Sequence, residues 1–437
     1  MSNMKKIIGI RREDKNQWEK RVPLIPADVK SLLKKNDLEV IVQPSEIRVF
    51  QDAEYERAGA KIDESLSSAN VVFAVKEIPI QLLETKKTYV FFSHTIKGQG
   101  YNMKMLKQLM NLKCNLIDYE KISDQQNARI ITFSLFAGIA GIIETLYAFA
   151  RKMELKGIST PFNTLKQAYQ YRSITQAEEE IKKISGKILK NGISKELHPL
   201  TIGVSGYGNV AKGVQRILEL LPVIDLTPDQ LKGGLNSREL DNKHVYNIVF
   251  EEKDLVEPDF GEFNLQDYYL HPEKYKSIFR HYLPEPKILL NCVYWTEDYP
   301  RIITRKNLKD SLSRNLEPGL QVIGDISCDI GGAIEITKDS TKPDNACYTY
   351  FIEKDEFEDG IRRGGITVMA IDNLPCEFSQ EASASFSSDL MGYVNAIASA
   401  DYSIDFQDLQ LPAEIKKAVI LLNGQLTPDY QYIAEFI

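Results

Sequence analysis

Short apolar runs alternate with amphipathic stretches along the first 130 residues. Lys6-Ile7-Ile8-Gly9-Ile10 has no polar alternation and reads as a strand covered on both faces. Further strands are expected at 39–42, 70–75, 88–92 and 115–118. Helical spacing appears at 26–33, where Pro26 suits a first helical position, at 55–58 before Gly59, and at 102–112. Strands and helices in alternation predict βαβ units around a parallel sheet. This region carries no glycine-rich phosphate loop.

The pattern then changes. Residues 132–155 form one long apolar helix with small residues at Ala137, Gly138, Ala140 and Gly141. It contains Glu144 and reads as a buried helix rather than a membrane span. Residues 166–190 are polar and helical. The apolar run Leu200-Thr201-Ile202-Gly203-Val204 enters the glycine loop Gly206-Tyr207-Gly208-Asn209-Val210-Ala211-Lys212-Gly213, and a helix follows. Strands are expected at 287–293 and 320–325, with a last one at 367–371. A long helix covers 381–398. The expected fold is α/β with two Rossmann-like doubly wound domains. A dinucleotide domain, 136–375, is inserted in a discontinuous substrate domain, 1–135 and 376–437.

Composition narrows the function. The 437 residues carry a formal net charge of −7, which disfavours a nucleic-acid partner. Five cysteines lack CxxC spacing, so neither a zinc site nor a disulfide framework is expected. Only Met1 to Lys6 precede the first strand, and the expected location is cytoplasmic.

Three polar clusters follow apolar strands, where open α/β sheets place ligands. The first spans Arg11, Lys15, Glu19 and Arg21, with arginine forks suited to carboxylates. The second is Lys76-Glu77 and the third His94 with Lys97. Lys and His are residue types that partial burial tunes for proton transfer. Glu120 follows the strand at 115–118 and is a carboxylate partner for them. In the second domain Gly206, Gly208 and Ala211 match G-x-G-x-x-A, placing Asn209 and Val210 at the helix start. Asp225 is the candidate acid for the cofactor ribose. Asp325, Asp329, Asn373 and Leu374 follow two later strands and are further cofactor-site candidates.

These motifs together resemble the lysine–ketoglutarate reductase (saccharopine-forming) family, within the alanine dehydrogenase and transhydrogenase-like superfamily. The resemblance rests on residues 10–24, 75–79, 92–99, 136–141, 206–213, 271–275, 291–295, 325–332 and 371–375. It implies a reduced nicotinamide cofactor, with NADP(H) favoured and NAD(H) an alternative, and no metal. It implies L-lysine and 2-oxoglutarate as small-molecule substrates, condensed to saccharopine or released from it. Lys76 and His94 would be the acid–base pair, with Glu120 modulating Lys76. Arg21 would bind a substrate carboxylate beside Arg11, Lys15 and Lys97, and Asp329 would face the nicotinamide. An alanine dehydrogenase-like or other opine-forming enzyme is the alternative within this chemistry. A nucleotide-sensing module without turnover is the alternative outside it. A homo-oligomer is compatible with either.

Overall fold

A computed structural model describes residues 6–35, 37–98, 100–231, 234–235, 239–313 and 319–437. Gln99, part of the motif at 92–99, and Met1 to Lys5 lie outside them. The chain divides into two compact units. Unit 1 is Met1–Phe133 with Ser379–Ile437, and unit 2 is Ser134–Phe378.

Unit 1 is built on an eight-stranded sheet. Its spatial order is Gln425–Leu426, Val419–Leu422, Asn115–Asp118, Thr88–Phe91, Val71–Phe73, Lys6–Ile10, Leu38–Val42, Lys61–Ile62. The six strands from Asn115–Asp118 onward are parallel. Every residue of Val71–Phe73, Thr88–Phe91 and Asn115–Asp118 is buried, which explains the apolar residues at their centres. The C-terminal pair is antiparallel and extends the sheet beyond Asn115–Asp118. The sequence reading did not foresee this pair.

Helix Ser379–Ser399 buries Ala382, Phe386, Leu390, Val394 and Ile397, a helical stripe, within this unit. Two serines on the same helix fasten the loop that follows Arg21. The Ser383 hydroxyl accepts from the Val22 N–H at 3.0 Å, and that of Ser387 from Ile25 at 3.0 Å.

Unit 2 carries a second eight-stranded sheet, in the order Glu356–Asp359, Cys347–Phe351, Ile366–Met369, Val322–Asp325, Ile288–Asn291, Leu200–Ser205, Val245–Phe250, Val223–Leu226. Six strands are parallel and the first two form an antiparallel hairpin. That hairpin and Val245–Phe250 are additions to the expected strands. The polar helix begins later than expected, at Ile174, because Ser173 caps it by accepting from the Gln176 N–H.

The apolar helix Ser134–Leu155 is long and apolar enough to cross a membrane, yet it is the central helix of unit 2. Its buried Lys152 and Glu144 are bonded inside that unit. The Lys152 ammonium donates to the carbonyls of Arg362 and Gly364 at 3.1 and 2.9 Å. Glu144 accepts from the Ala168 N–H at 2.5 Å and from Gln167 at 3.2 Å, and its carboxyl meets that of Glu377. Two glycines let this helix approach the glycine-loop helix, Asn209–Leu218. A methyl group on Gly138 would stand 1.9 Å from the Val210 carbonyl, and one on Gly213 would stand 2.1 Å from that of Leu135.

Candidate active site

In unit 1 the strand Lys6–Ile10 lies between Leu38–Val42 and Val71–Phe73. The chain order reverses there, and the carboxyl ends of such strands border a ligand crevice. Two loops leave at this point, one starting at Arg11 and one at Ala74. They are tied together: the Arg11 N–H donates to Phe73 O at 2.9 Å. The Glu13 carboxylate accepts from the Val75 and Lys76 N–H groups at 2.6 and 3.0 Å. Burial pushes Glu13 up to about 7, against the pull of these two donors. Glu13 thus sets the backbone that carries Lys76.

Glu77 is the centre of the arrangement. Its Oε1 lies 2.6 Å from Nδ1 of His94, and its Oε2 lies 3.3 Å from the Lys15 ammonium. Burial would raise Glu77, but the His94 hydrogen bond and the His94 and Lys15 charges outweigh it and hold the carboxyl at about 2. A permanent carboxylate therefore stands next to Lys76 in sequence and touches His94 in space.

His94 sits in a backbone conformation with φ of +50°, uncommon outside glycine. Its neighbours enforce it. The Ser93 N–H donates to Asp118 at 3.1 Å, as does the Ser93 hydroxyl, and Asn102 donates to Ser93 O at 2.9 Å. The other Asp118 oxygen accepts from the Glu120 N–H at 2.8 Å. One buried carboxyl thus fixes both the His94 turn and the Glu120 turn. Burial pushes Asp118 up to about 6, moderated by the Ser93 hydrogen bond.

Glu120 is ion-paired with Arg129, a residue the sequence reading did not single out. Lys15 and Lys97 reach the surface. Arg11 is buried and paired with Asp14 at 2.5 Å. Arg21, expected to meet a substrate carboxylate, is 3% exposed. Its Nε and Nη2 contact Glu19 at 2.8 and 2.6 Å, and its guanidinium lies 4.1 Å from the Phe133 ring centroid. A buried guanidinium needs a counter-charge, and the carboxylate two residues earlier supplies it. Arg21 therefore already holds a carboxylate of this chain.

In unit 2 the reversal falls at Leu200–Ser205, between Val245–Phe250 and Ile288–Asn291. The glycine loop leaves from it. Gly206 has φ of +91°, and its N–H donates to Phe250 O at 2.9 Å. A methyl group on Gly208 would meet nothing within 4 Å, so the space above this backbone is open. Asn209 and Val210 start the helix with exposed or half-buried N-terminal positions, and Ala211 is buried beneath. An open backbone at a helix start fits the pyrophosphate of a dinucleotide, whose charge the helix N–H groups and dipole favour.

Three expected cofactor residues take different places. Asp225 lies on Val223–Leu226, the edge strand, and accepts from the Asn247 amide at 2.7 Å. The strand beside the glycine-loop strand is Val245–Phe250, so the acid that follows the neighbouring strand is not Asp225. Asp325 is 1% exposed and its carboxylate is taken by Asn291, Thr337 and the Cys328 N–H; it ties down the loop after its strand. Burial pushes it up to about 6. The Leu374 side chain is buried near Gly141, leaving only its backbone for a ligand. Asp329 and Asn373 are half-buried, each on a loop that follows a strand of this sheet.

The chain matches two family descriptions, "Alanine dehydrogenase/PNT, N-terminal domain" over residues 9–140 and "Alanine dehydrogenase/PNT, C-terminal domain" over residues 276–429. It is 33% identical to the alpha-aminoadipic semialdehyde synthase of Arabidopsis thaliana, over 98% of this chain and 41% of that protein. It is 34% identical to the mitochondrial alpha-aminoadipic semialdehyde synthase of Mus musculus, over 98% and 48%. The chain thus spans about half the length of these curated relatives. A saccharopine dehydrogenase [NAD(+), L-lysine-forming] of Neurospora crassa is 24% identical, over 88% of this chain and 89% of that one. Among solved structures an L-alanine dehydrogenase has the same fold, with a TM-score of 0.63 at 16% identity, covering 99% of this chain and 100% of that one.

Proposed function

The chain belongs to the alanine dehydrogenase/PNT family, and from that premise we propose that it is a nicotinamide-dependent oxidoreductase joining L-lysine and 2-oxoglutarate as saccharopine, or running the reverse. The observation that carries the reading is the Glu77 carboxylate held between Lys15 and His94, one residue from Lys76. The name of one relative, a saccharopine dehydrogenase that forms L-lysine, supports the choice of lysine.

Condensation of an amine with a keto acid is a sequence of proton transfers. The amine must lose a proton to attack the carbonyl, and the carbinolamine oxygen must gain protons to leave as water. Lys76 and His94 are suited to these transfers, and Glu77 orients the imidazole through Nδ1, directing Nε2 to the reacting groups. Lys15 and Lys97 supply positive charge for substrate carboxylates. Arg11 and Arg21, each paired within the chain, shape the surrounding loop. Gly206, Gly208, Asn209 and Val210 would hold the dinucleotide by its pyrophosphate. When bound, the reduced nicotinamide supplies the hydride that converts the C=N bond to an amine.

The test is a spectrophotometric one. Purified protein is mixed with reduced nucleotide, 2-oxoglutarate and a panel of amines. Oxidation that depends on lysine supports the reading. Turnover with ammonia and pyruvate in its place would reassign the protein to alanine dehydrogenase-like chemistry.

A further inference from the structure

The loop that carries His94 and Lys97 is held from two sides within unit 1. Its root is fastened through Ser93, whose hydroxyl meets Asp118 and lies 2.7 Å from that of the buried Thr95. Its tip is a tight turn, closed by the Gly98 N–H donating to Thr95 O at 3.0 Å, with Lys97 at the corner. A segment far along the chain holds this tip. The Tyr432 hydroxyl donates to Ile96 O at 2.7 Å. The Phe436 ring lies beside Gly98, so that a methyl group there would stand 2.5 Å from a ring carbon. Ile96 and Gly98 are the two neighbours of Lys97. One aromatic residue therefore bears on the backbone at each side of that lysine.

The segment, Pro428–Phe436, is itself anchored to the sheet of unit 1. The Thr427 hydroxyl donates to Val419 O at 2.6 Å, and the Tyr430 hydroxyl to Lys417 O at 2.7 Å. Tyr430 and Ile433 are buried, whereas Tyr432 and Phe436 are 46% and 49% exposed. The last two thus add little to the core, and their contacts fall on the turn. Burial raises the Tyr432 hydroxyl above its ordinary value and the Glu120 charge adds to it, so this side chain also stands near Glu120.

We propose that Tyr432, with Phe436 beside it, is a positioning residue that presets the backbone of Lys97 for a substrate carboxylate, an inference that rests on the role given to Lys97 above. A lysine ammonium rides on a flexible stem, and a fixed backbone lessens the ordering that binding must supply. His94 lies outside this effect, because Glu77 holds its ring and Asp118 holds its turn through Ser93.

The experiment compares the full chain with Tyr432→Phe, which removes one half-exposed hydroxyl and should leave the thermal midpoint unchanged. Amide hydrogen exchange is read by mass spectrometry on fragments spanning residues 94–98. The Gly98 amide is expected to exchange about threefold to tenfold faster in the variant, the worth of one hydrogen bond. With reduced nucleotide and L-lysine saturating, KM for 2-oxoglutarate should rise by a similar factor while kcat holds. Lys97→Met should raise that KM as well. The double variant should be no worse than Lys97→Met alone, since Tyr432 acts through the lysine. Unchanged exchange or unchanged KM in Tyr432→Phe, a fall in kcat in place of the rise in KM, or effects that add in the double variant overturn the proposal. Faster exchange in the variant, with no lysine-dependent turnover by the unmodified chain, overturns the substrate reading and leaves the fastening of the Lys97 turn in place.

Discussion

Nδ1 of His94 and Oε1 of Glu77 stand 2.6 Å apart, and the same carboxylate reaches the Lys15 ammonium through its other oxygen at 3.3 Å. The pairing has a thermodynamic consequence. Glu77 is held at about 2, below its ordinary 4.5. The unfolded chain therefore binds more protons between those values, and stability rises with pH across that window. The contribution is fully present above pH 4.5 and is lost as pH falls through 2. Its size is on the order of 2 kcal/mol, after discounting for partial solvent access. Glu77→Gln should be less stable than the parent at pH 6 by that amount, and the gap should close toward pH 2. Urea midpoints at several pH values measure it; parallel curves would sink the claim.

Removal of the two proton-transfer groups should separate chemistry from nucleotide binding. The variant Lys76→Met, His94→Gln is expected to lose about 10²- to 10⁴-fold in turnover. Its affinity for reduced nucleotide should stay within a few-fold, because the glycine loop belongs to the other unit. Steady-state rates and a nucleotide titration test the two halves. Retained turnover would remove Lys76 and His94 from the mechanism.

Two glycines of one motif should behave in opposite ways. Gly208→Ala adds a methyl into open space, so the thermal midpoint should hold while nucleotide affinity falls about tenfold or more. Gly213→Ala gains helix propensity worth about 1 kcal/mol. It also drives a methyl to 2.1 Å from the Leu135 carbonyl, a backbone atom that cannot step aside. Overpacking should win by about 1–3 kcal/mol. Calorimetric unfolding with and without nucleotide separates the two effects.

The Glu144 and Glu377 carboxyls give unit 2 a dependence of opposite sign. Burial pushes Glu144 up to about 7, and burial with the facing Glu144 raises Glu377 as well. A folded-state pKa above the unfolded one stabilises below about pH 4.5 and is lost as pH rises through 7. Unfolding midpoints should fall by roughly 2–3 kcal/mol equivalent from pH 5 to pH 8. In Glu144→Gln that decline should flatten, leaving the variant at least as stable as the parent at pH 8.

The parallel strands were legible because a strand covered on both faces has an apolar run at its centre, as at Val71–Phe73. Val245–Phe250 was not, because Asn247 interrupts it with a polar group that is buried and bonded to Asp225 and Gln215. A polar residue satisfied by distant partners looks like a loop residue in one dimension. The C-terminal hairpin did leave a signal. Asn423-Gly424 between Val419–Leu422 and Gln425–Leu426 is a tight-turn pair, and both residues have positive φ. Lys76 and His94 stand out in the sequence because basic groups after apolar strands are visible there. The roles of Glu77, Glu13 and Asp118 depend on contacts across 17 to 63 residues, which no local pattern carries.

The sheet of unit 1 is extended by Val419–Leu422 and its helix Ser379–Ser399 arrives just before. During synthesis the strands from Lys6 to Asp118 leave the ribosome early but find their last neighbours only after all of unit 2 has been made. Domains that emerge whole fold as they emerge. Unit 2, contiguous in the chain, can therefore finish first, while the half that carries Lys76 and His94 waits. A nascent chain arrested near residue 378 should already bind nucleotide, yet its first 133 residues should remain open to protease.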